Sequence, residues 1–438
     1  MFVADPEHGI MNLGWGVYPV EIPFGKDIES WGTWLFCWNG EDYGRHAAFK
    51  AFDRLRYPIH PERDAYMQAN TWGSTVDSVS ARRAAGEASV LREIACCEEL
   101  GIDVLQIDDG WQLSDPAAYT PGSAAWTPDP AIGWRPHPAV YPNGWKKVAA
   151  TAREHGVKLG LWAAAEPVSL KELIENHDAG DFVQYKLDSA HLDSRRRIDE
   201  LMDKARKFIL YTKHQARVNW DLTEINPRYG YFFAREYGTI YLENRKPVSP
   251  LCAIYRPDTV LRDLWQISRY LNLSKFQATY QNVDMVSPQF SNAQYYSHAY
   301  CFAITMMATP LFFQETKYLS AAAKAEIIPL IRTYKAVRQE IYAGTVYPVG
   351  DKPNGAAWCG FQNVAPDSED GFLTVFRELD NQADVSGIRL YGLKPGTTLS
   401  LTDLLTGETA QSVLNEQAGL ALQIPRAPGF LFLRYAVN

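Results

Sequence analysis

Acidic side chains fall where β-prone stretches of this chain stop. Val218-Asn219-Trp220 ends in Asp221, and Ile102-Asp103-Val104-Leu105-Gln106-Ile107 runs into Asp108-Asp109-Gly110-Trp111. Asp258 follows Ile254-Tyr255-Arg256-Pro257, and Asp188, Glu243 and Asp284 sit at or near the ends of other extended pieces. Carboxylates so placed suit two chemistries. A pair ~5–5.5 Å apart can cleave a glycosidic bond with retention, one attacking the anomeric carbon while the other protonates the leaving oxygen. An adjacent Asp-Asp pair can instead accept from neighbouring sugar hydroxyls and so read the stereochemistry of a diol. Trp72, Trp111 and Trp162 stand beside these positions and could cover the apolar face of a sugar ring, or equally fill a core. A strand-terminal Asp can also do no more than cap the following helix. His191, His214 and His298 show no metal-ligand spacing and read as structural histidines.

The elements that must position these groups alternate between strand and helix from about residue 66. Asn70-Thr71-Trp72-Gly73 ends a first strand. Residues 80–100 have helical periodicity and stop at Gly101. Residues 144–155 and 193–213 read as further helices, and Val157–Trp162, Ala216–Asp221, Thr239–Asn244, Cys252–Tyr255, Phe276–Tyr280 and Pro310–Phe313 as strands. Phe182–Asp188 is one more extended piece. Repeated βα units of this spacing argue for a parallel sheet with right-handed crossovers. The count favours a closed (β/α)8 TIM barrel over 66–342, and no Gly-rich phosphate loop supports a dinucleotide-binding fold. After Gly344 short strands alternate with Gly, Pro, Asn and Asp turns, which predicts an antiparallel β-sandwich domain over 343–438. Residues 1–65, rich in Gly, Pro and Trp, read as a lead-in segment or the remnant of a β domain.

Composition narrows the partners. The 438 residues exceed what one core usually holds, and 46% hydrophobic with 21% charged is an ordinary soluble balance. A formal charge of −8 argues against nucleic acid or an anionic membrane as the main partner. No apolar run is long enough for a membrane span. The N-terminal residues do not read as a secretory signal, so a cytoplasmic location is expected. The six cysteines are scattered without metal spacing, as expected of reduced thiols. Thirteen Trp and 24 Tyr suit stacking on sugars as well as a large core.

Several of these segments, in the same order, resemble the α-galactosidases of glycoside hydrolase family 36 and their clan D (melibiase-like) relatives. Ile107-Asp108-Asp109-Gly110-Trp111 is similar to their L-D-D-G-W signature. Gly160-Leu161-Trp162 with Glu166-Pro167 resembles G-L-W-x-E-P, with extra residues between. Leu187-Asp188-Ser189 resembles L-D-L-S, Asn219-Trp220-Asp221 falls on K-W-D, and Leu242-Glu243-Asn244 on F-E-N. Arg256-Pro257-Asp258-Thr259 lies where the family has S-D-D-T, although in strict register Pro257 takes the place of the first aspartate. The resemblance spans roughly 65–340. It implies a retaining α-glycoside hydrolase, α-galactosidase-like, needing no metal or organic cofactor and acting on an oligosaccharide or α-glycoside. Asp221 inherits the role of nucleophile and Asp258 that of acid/base. Asp108, Asp109, Trp72, Trp111, Trp162, Asn219, Glu243, Arg245 and Arg256 form the expected sugar-binding set. Asp188 is a rival nucleophile, because Tyr185-Lys186-Leu187-Asp188 mimics the K-x-D of sister family 27, and Asp284 is a rival acid/base.

Departures from the family bear on substrate. Asn219 replaces the lysine two residues before the nucleophile, and Arg245-Lys246-Pro247 stands where a Cys- and Gly-rich loop is expected. Arg245 and Arg256 point to a substituted or anionic sugar, or simply pair with barrel carboxylates. The large N-terminal β domain, through which relatives often form oligomers, is expected to be absent or reduced, so a homo-oligomer stays open. A raffinose-synthase-like transferase and a non-catalytic sugar-binding barrel are the alternative readings.

Overall fold

A computed structural model describes residues 3–5, 10–12, 35–40, 42–73, 78–115, 127–190, 195–221, 234–241 and 255–438. A short antiparallel ribbon, β1 (Val3–Asp5) with β2 (Ile10–Asn12), comes first. Helix α1 (Asp42–Arg56) and the single turn α2 (Pro61–Asp64) lead to the main body. Eight parallel strands then close on themselves: β3 (Gln68–Asn70), β4 (Val104–Ile107), β5 (Lys158–Ala164), β6 (Phe182–Asp188), β7 (Arg217–Trp220), β8 (Gly238–Tyr241), β9 (Phe276–Tyr280) and β10 (Thr309–Phe313), with β10 paired back to β3. Outside them lie α3 (Ser78–Ala84), α4 (Glu87–Leu100), α5 (Lys146–Glu154), α6 (Leu170–Gly180), α7 (Arg195–Tyr211), α8 (Pro257–Ile267), α9 (His298–Thr305) and α10 (Ala321–Ala343). The expected (β/α)8 barrel is present.

The sequence offers nine extended pieces for eight places. Phe182–Asp188 takes the fourth, between β5 and β7. The expected strand at 252–255 has no place in the ring. β8 pairs directly with β9, Ile240 with Phe276 and Tyr241 with Gln277, which leaves no ladder position between them. Tyr255 lies in no strand, and 252–254 fall outside the described residues.

Alternation along each strand decides what enters the barrel. Tyr185 turns outward, donating to the Leu173 carbonyl on α6 at 3.2 Å, while Gln184, Lys186 and Asp188 form the inward file. The lower interior is a polar layer. Gln68 Nε2 donates to Gln106 Oε1 at 2.7 Å, Gln277 Nε2 to Gln68 Oε1 at 2.9 Å, Asn219 Nδ2 to Gln277 Oε1, and Tyr66 Oη to Gln184 Oε1 at 3.1 Å. Buried amides need such partners, and a linked layer fixes their rotamers. Gly160 makes room for it: a Cβ there would stand 3.2 Å from Gln184 Cβ and 3.3 Å from Gln106.

The C-terminal part is antiparallel. β11 (Thr345–Gly350), β12 (Trp358–Val364), β13 (Gly371–Arg377), β18 (Gly429–Val437), β15 (Thr398–Asp403) and β16 (Thr409–Val413) form one sheet in that order, and β14 (Val385–Arg389) pairs with β17 (Gly419–Gln423). β13 is buried along its whole length because it serves two cores. Leu373 and Val375 pack towards β14 and β17, while Phe372 and Phe376 join the barrel's own core. Tyr300 of α9 meets Phe376 at 5.2 Å between ring centroids, edge to face.

This shared core predicts one cooperative unfolding transition for barrel and sheet domain. Phe376→Ala should cost ~3–5 kcal/mol. Denaturation followed by tryptophan fluorescence and by far-ultraviolet dichroism should give coincident curves, shifted together in the variant. Separate transitions would show that the two parts are independent.

Candidate active site

Lys186 is the centre of the barrel mouth. Its side chain is 6% exposed, and its Nζ lies 3.2 Å from Asp108 Oδ2, 3.2 Å from Asp221 Oδ2 and 3.7 Å from Asp188 Oδ2. Three carboxylates from β4, β6 and β7 thus gather on one ammonium. The opposite side of the ammonium faces aromatic rings, 5.2 Å from the Tyr241 centroid and 5.5 Å from that of Phe313. Trp72, half-buried, packs on the same Tyr241, Leu311 and Phe313 group.

The register explains the geometry. Lys186 pairs with Asn219 across β6 and β7, and Leu187 with Trp220. Lys-Leu-Asp and Asn-Trp-Asp therefore stand side by side, and Asp221 N donates to the Leu187 carbonyl at 3.1 Å. The lysine absent at position 219 is supplied by the neighbouring strand. Asn219 itself, 1% exposed, turns to Gln277 in the polar layer.

The carboxylates differ in access. Asp108 and Asp221 have side chains 3% exposed, against 23% for Asp188. Asp108 Oδ2 also accepts from Asn70 Nδ2 at 2.8 Å, and its own N–H donates to Thr71 Oγ1 at 3.0 Å. Asp188 accepts from Trp162 Nε1 at 2.9 Å and from the Ser189 N–H at 2.6 Å. A carboxylate at the mouth with one indole donor is oriented and still reachable.

Other expected binding residues are committed elsewhere. Asp109 turns away from the mouth. Arg82 Nε of α3 donates to its Oδ2 at 2.7 Å and Gln112 Nε2 to its Oδ1 at 2.7 Å, so both oxygens are engaged in a buried pair. Burial pushes its carboxyl above the usual range, against the pull of Arg82. Trp111 is fully buried, donates Nε1 to the Trp162 carbonyl at 2.9 Å, and packs on Trp134 and Trp145. It is a wall of the core. Trp162 is 3% exposed, which leaves its indole N–H on Asp188 as its link to the mouth.

Asp258 stands in the first turn of α8, after Pro257 at its first position, where a negative charge suits the helix dipole. It pairs with Arg256 at 2.8 Å. Burial, and after it the Asp258 charge, push up the ionisations of Tyr296 and of Glu378 in the sheet domain. Those influences set Asp258 on the side of the sheet domain, and its ion pair among the described residues is with Arg256 and not with Lys186. Asp284 is also turned outward, 3.4 Å from His298 Nε2 and hydrogen-bonded by Ser320 of α10. Glu243 and Arg245 lie outside the described residues.

Sequence reasoning named Lys186 only within a K-x-D pattern, without a role of its own, and did not single out Asn70, Tyr241 or Phe313. Lys186 had a signal: a lysine in the extended piece Phe182–Leu187, two residues before an aspartate, shares that aspartate's face. The aromatic half of the mouth had none, since β8 and β10 read as ordinary core strands.

Comparison with known proteins follows the same outline. No protein-family model matches the chain. A curated relative, α-galactosidase 2 of Pediococcus pentosaceus, is 28% identical over 157 residues, 35% of this chain and 20% of that protein. Among solved structures, the GH36 α-galactosidase AgaA of Geobacillus stearothermophilus superposes with a TM-score of 0.68 at 17% identity, over 91% of this chain and 59% of that one. A variant of AgaA in complex with stachyose gives the same TM-score at 15% identity and the same coverage. The chain therefore spans about 59% of the length of these structures and 20% of the curated relative. The α-galactosidase-like resemblance is borne out, and at these identities what the superpositions show is a common fold.

The engagement of Asp109 yields a test. Asp109→Ala strands the Arg82 charge in the interior and should cost ~3–5 kcal/mol in denaturant unfolding. The double substitution Arg82→Met with Asp109→Leu should recover most of that loss. A stable Asp109→Ala protein would return Asp109 to the mouth.

Proposed function

We propose that this protein is a retaining α-glycoside hydrolase of α-galactosidase type that releases a terminal α-linked sugar. The observation that carries the reading is the gathering of Asp108, Asp188 and Asp221 on Lys186 at the C-terminal end of a closed (β/α)8 barrel. Chemistry in this fold collects at that end. Among the described residues one ammonium faces three carboxylates, a grouping that places negative charge where an oxocarbenium-like transition state would develop. The stachyose held by an AgaA variant supports an α-linked oligosaccharide as the substrate class.

In this reading Asp221 attacks the anomeric carbon. The Lys186 ammonium lies 3.2 Å from Asp221 Oδ2 and orients the attacking carboxylate. Asp108, fixed by Asn70 and Thr71, binds hydroxyls of the sugar. The second carboxyl protonates the leaving oxygen and then activates water. Asp258 carries that role by resemblance. Asp188 is favoured by geometry, since it shares the Lys186 ammonium with Asp221 and is the most exposed of the three. Two oxygens held on one ammonium at 3.2 and 3.7 Å are compatible with the ~5–5.5 Å of a retaining pair.

Aryl α-galactosides with good leaving groups separate the roles. Asp221→Ala should lower kcat by more than ~10³-fold and, with azide, yield the β-galactosyl azide of inverted configuration. The acid/base variant, Asp188→Ala or Asp258→Ala, should keep activity on the most activated substrates and yield the α-azide. An inverted product from Asp188→Ala would exchange the roles on β6 and β7. Product analysis with added acceptor sugars distinguishes hydrolysis from transfer, and an inert wild type on a wide panel of α-glycosides would defeat the proposal.

A further inference from the structure

A cavity of about 160 Å³ lies at the end of the barrel away from the mouth, by the N-terminal ends of β7, β8 and β9. Arg63, Arg217, Lys275, His60 and His214 are in its wall, with Asp64 and Glu236 as the acidic members. Lys275 ends the short 3-10 turn Leu273–Lys275 that feeds β9 and is 6% exposed. Among the described residues its ammonium has neither an ion pair nor a hydrogen bond. Arg217 lies over the Tyr66 ring at 4.0 Å and directs one nitrogen to the Arg63 carbonyl, while its buried Nε–H has no acceptor.

The acidic residues are already occupied. Arg63 grips Asp64 through Nε at 2.7 Å and Nη2 at 3.0 Å, and Arg217 comes no nearer to Asp64 than 3.9 Å. Glu236 is 3.0 Å from Arg56. Buried cationic donors without acceptors are costly, and they are satisfied by an anion that accepts from several at once. We propose that this cavity binds a small oxyanion of the phosphate class, held by Lys275 and Arg217 with Arg63 beside them. In a barrel of this kind the N-terminal face serves stability, and an oxyanion there would tie together the starts of β7, β8 and β9. This site is independent of the chemistry at the mouth.

The titration of Lys275 sets the pH window. Burial lowers its pKa from 10.5 to about 8; nearby Asp64 opposes the shift, and Arg63, Arg235 and Arg217 reinforce it. His60, Tyr66, His214, Glu236 and Tyr237 are the other ionisable groups of the wall. Below pH about 8 the folded protein carries a desolvated charge that the unfolded chain does not feel, and that penalty fades as pH rises towards 10.5. A bound oxyanion offsets the penalty only while the ammonium is charged.

The test is thermal unfolding of the whole protein at pH 7 and ~pH 9.5, in inorganic phosphate or in sodium chloride of equal ionic strength. Phosphate at pH 7 should raise Tm by roughly 2 °C or more above chloride. The gain should persist in Asp221→Ala, vanish in Lys275→Met and vanish at the higher pH. Lys275→Met removes an unpartnered buried charge and should fold at least as well as the wild type. Calorimetric titration of the wild type with phosphate should show binding at pH 7 and its loss at the higher pH, with no variant needed. Equal shifts in phosphate and chloride, a gain that survives Lys275→Met, or one undiminished at the higher pH would overturn the site.

Discussion

Among the described residues, the mouth of this barrel is organised around one ammonium group, that of Lys186. Asp108, Asp188 and Asp221 rise from three strands into a space closed on the other side by Tyr241 and Phe313. Without a cation between them their mutual repulsion and desolvation would be prohibitive. Lys186 resolves this by reaching all three. Its position is in turn fixed by β6 being a true member of the ring, in register with β7. The pairing of Lys186 with Asn219 is therefore both a topological fact and an electrostatic one.

Beneath the ammonium the amide layer of Gln68, Gln106, Gln184, Asn219 and Gln277 takes the place that aliphatic layers have in many barrels. Each amide needs a partner in a set orientation, so the layer resists rotation of individual strands. Gln106 and Asp108 occupy the same inward file, and Gln106 Nε2 lies 3.4 Å from Asp108 Oδ2. The polar interior thus continues into the mouth and holds the lower carboxylate in place. The sheet domain adds a second support, since its Phe372 and Phe376 are part of the barrel core.

The two ends of the barrel solve the burial of charge in opposite ways. At the mouth, among the described residues, three carboxylates share a single lysine. At the base, arginines and a lysine outnumber the carboxylates within reach, which suits an anion. One strand carries a member of each set: Arg217 begins β7 and Asp221 follows its end.

The architecture and half of the mouth were legible along the chain. Strand and helix periods, the helix stop at Gly101 and the change of texture after Gly344 were enough for a barrel followed by a sheet domain. Asp108 and Asp221 were marked as carboxylates closing β-prone runs, because local pattern governs where a strand ends and which face its residues share. Which neighbours those residues meet was settled by the closed ring. Asp108 and Asp109 are adjacent in sequence and similar in chemistry, yet opposite faces send one to Lys186 and the other to Arg82. Asp258 closes a motif-like stretch in sequence but stands in the first turn of a helix, and β8 pairs directly with β9. Lys186 and Asn219 are far apart in the chain, and cross-strand register alone makes one stand in for what the other lacks. Period and propensity are local and can be read residue by residue; register, and hence the sharing of one charge among distant carboxylates, exists only when the strands have come together.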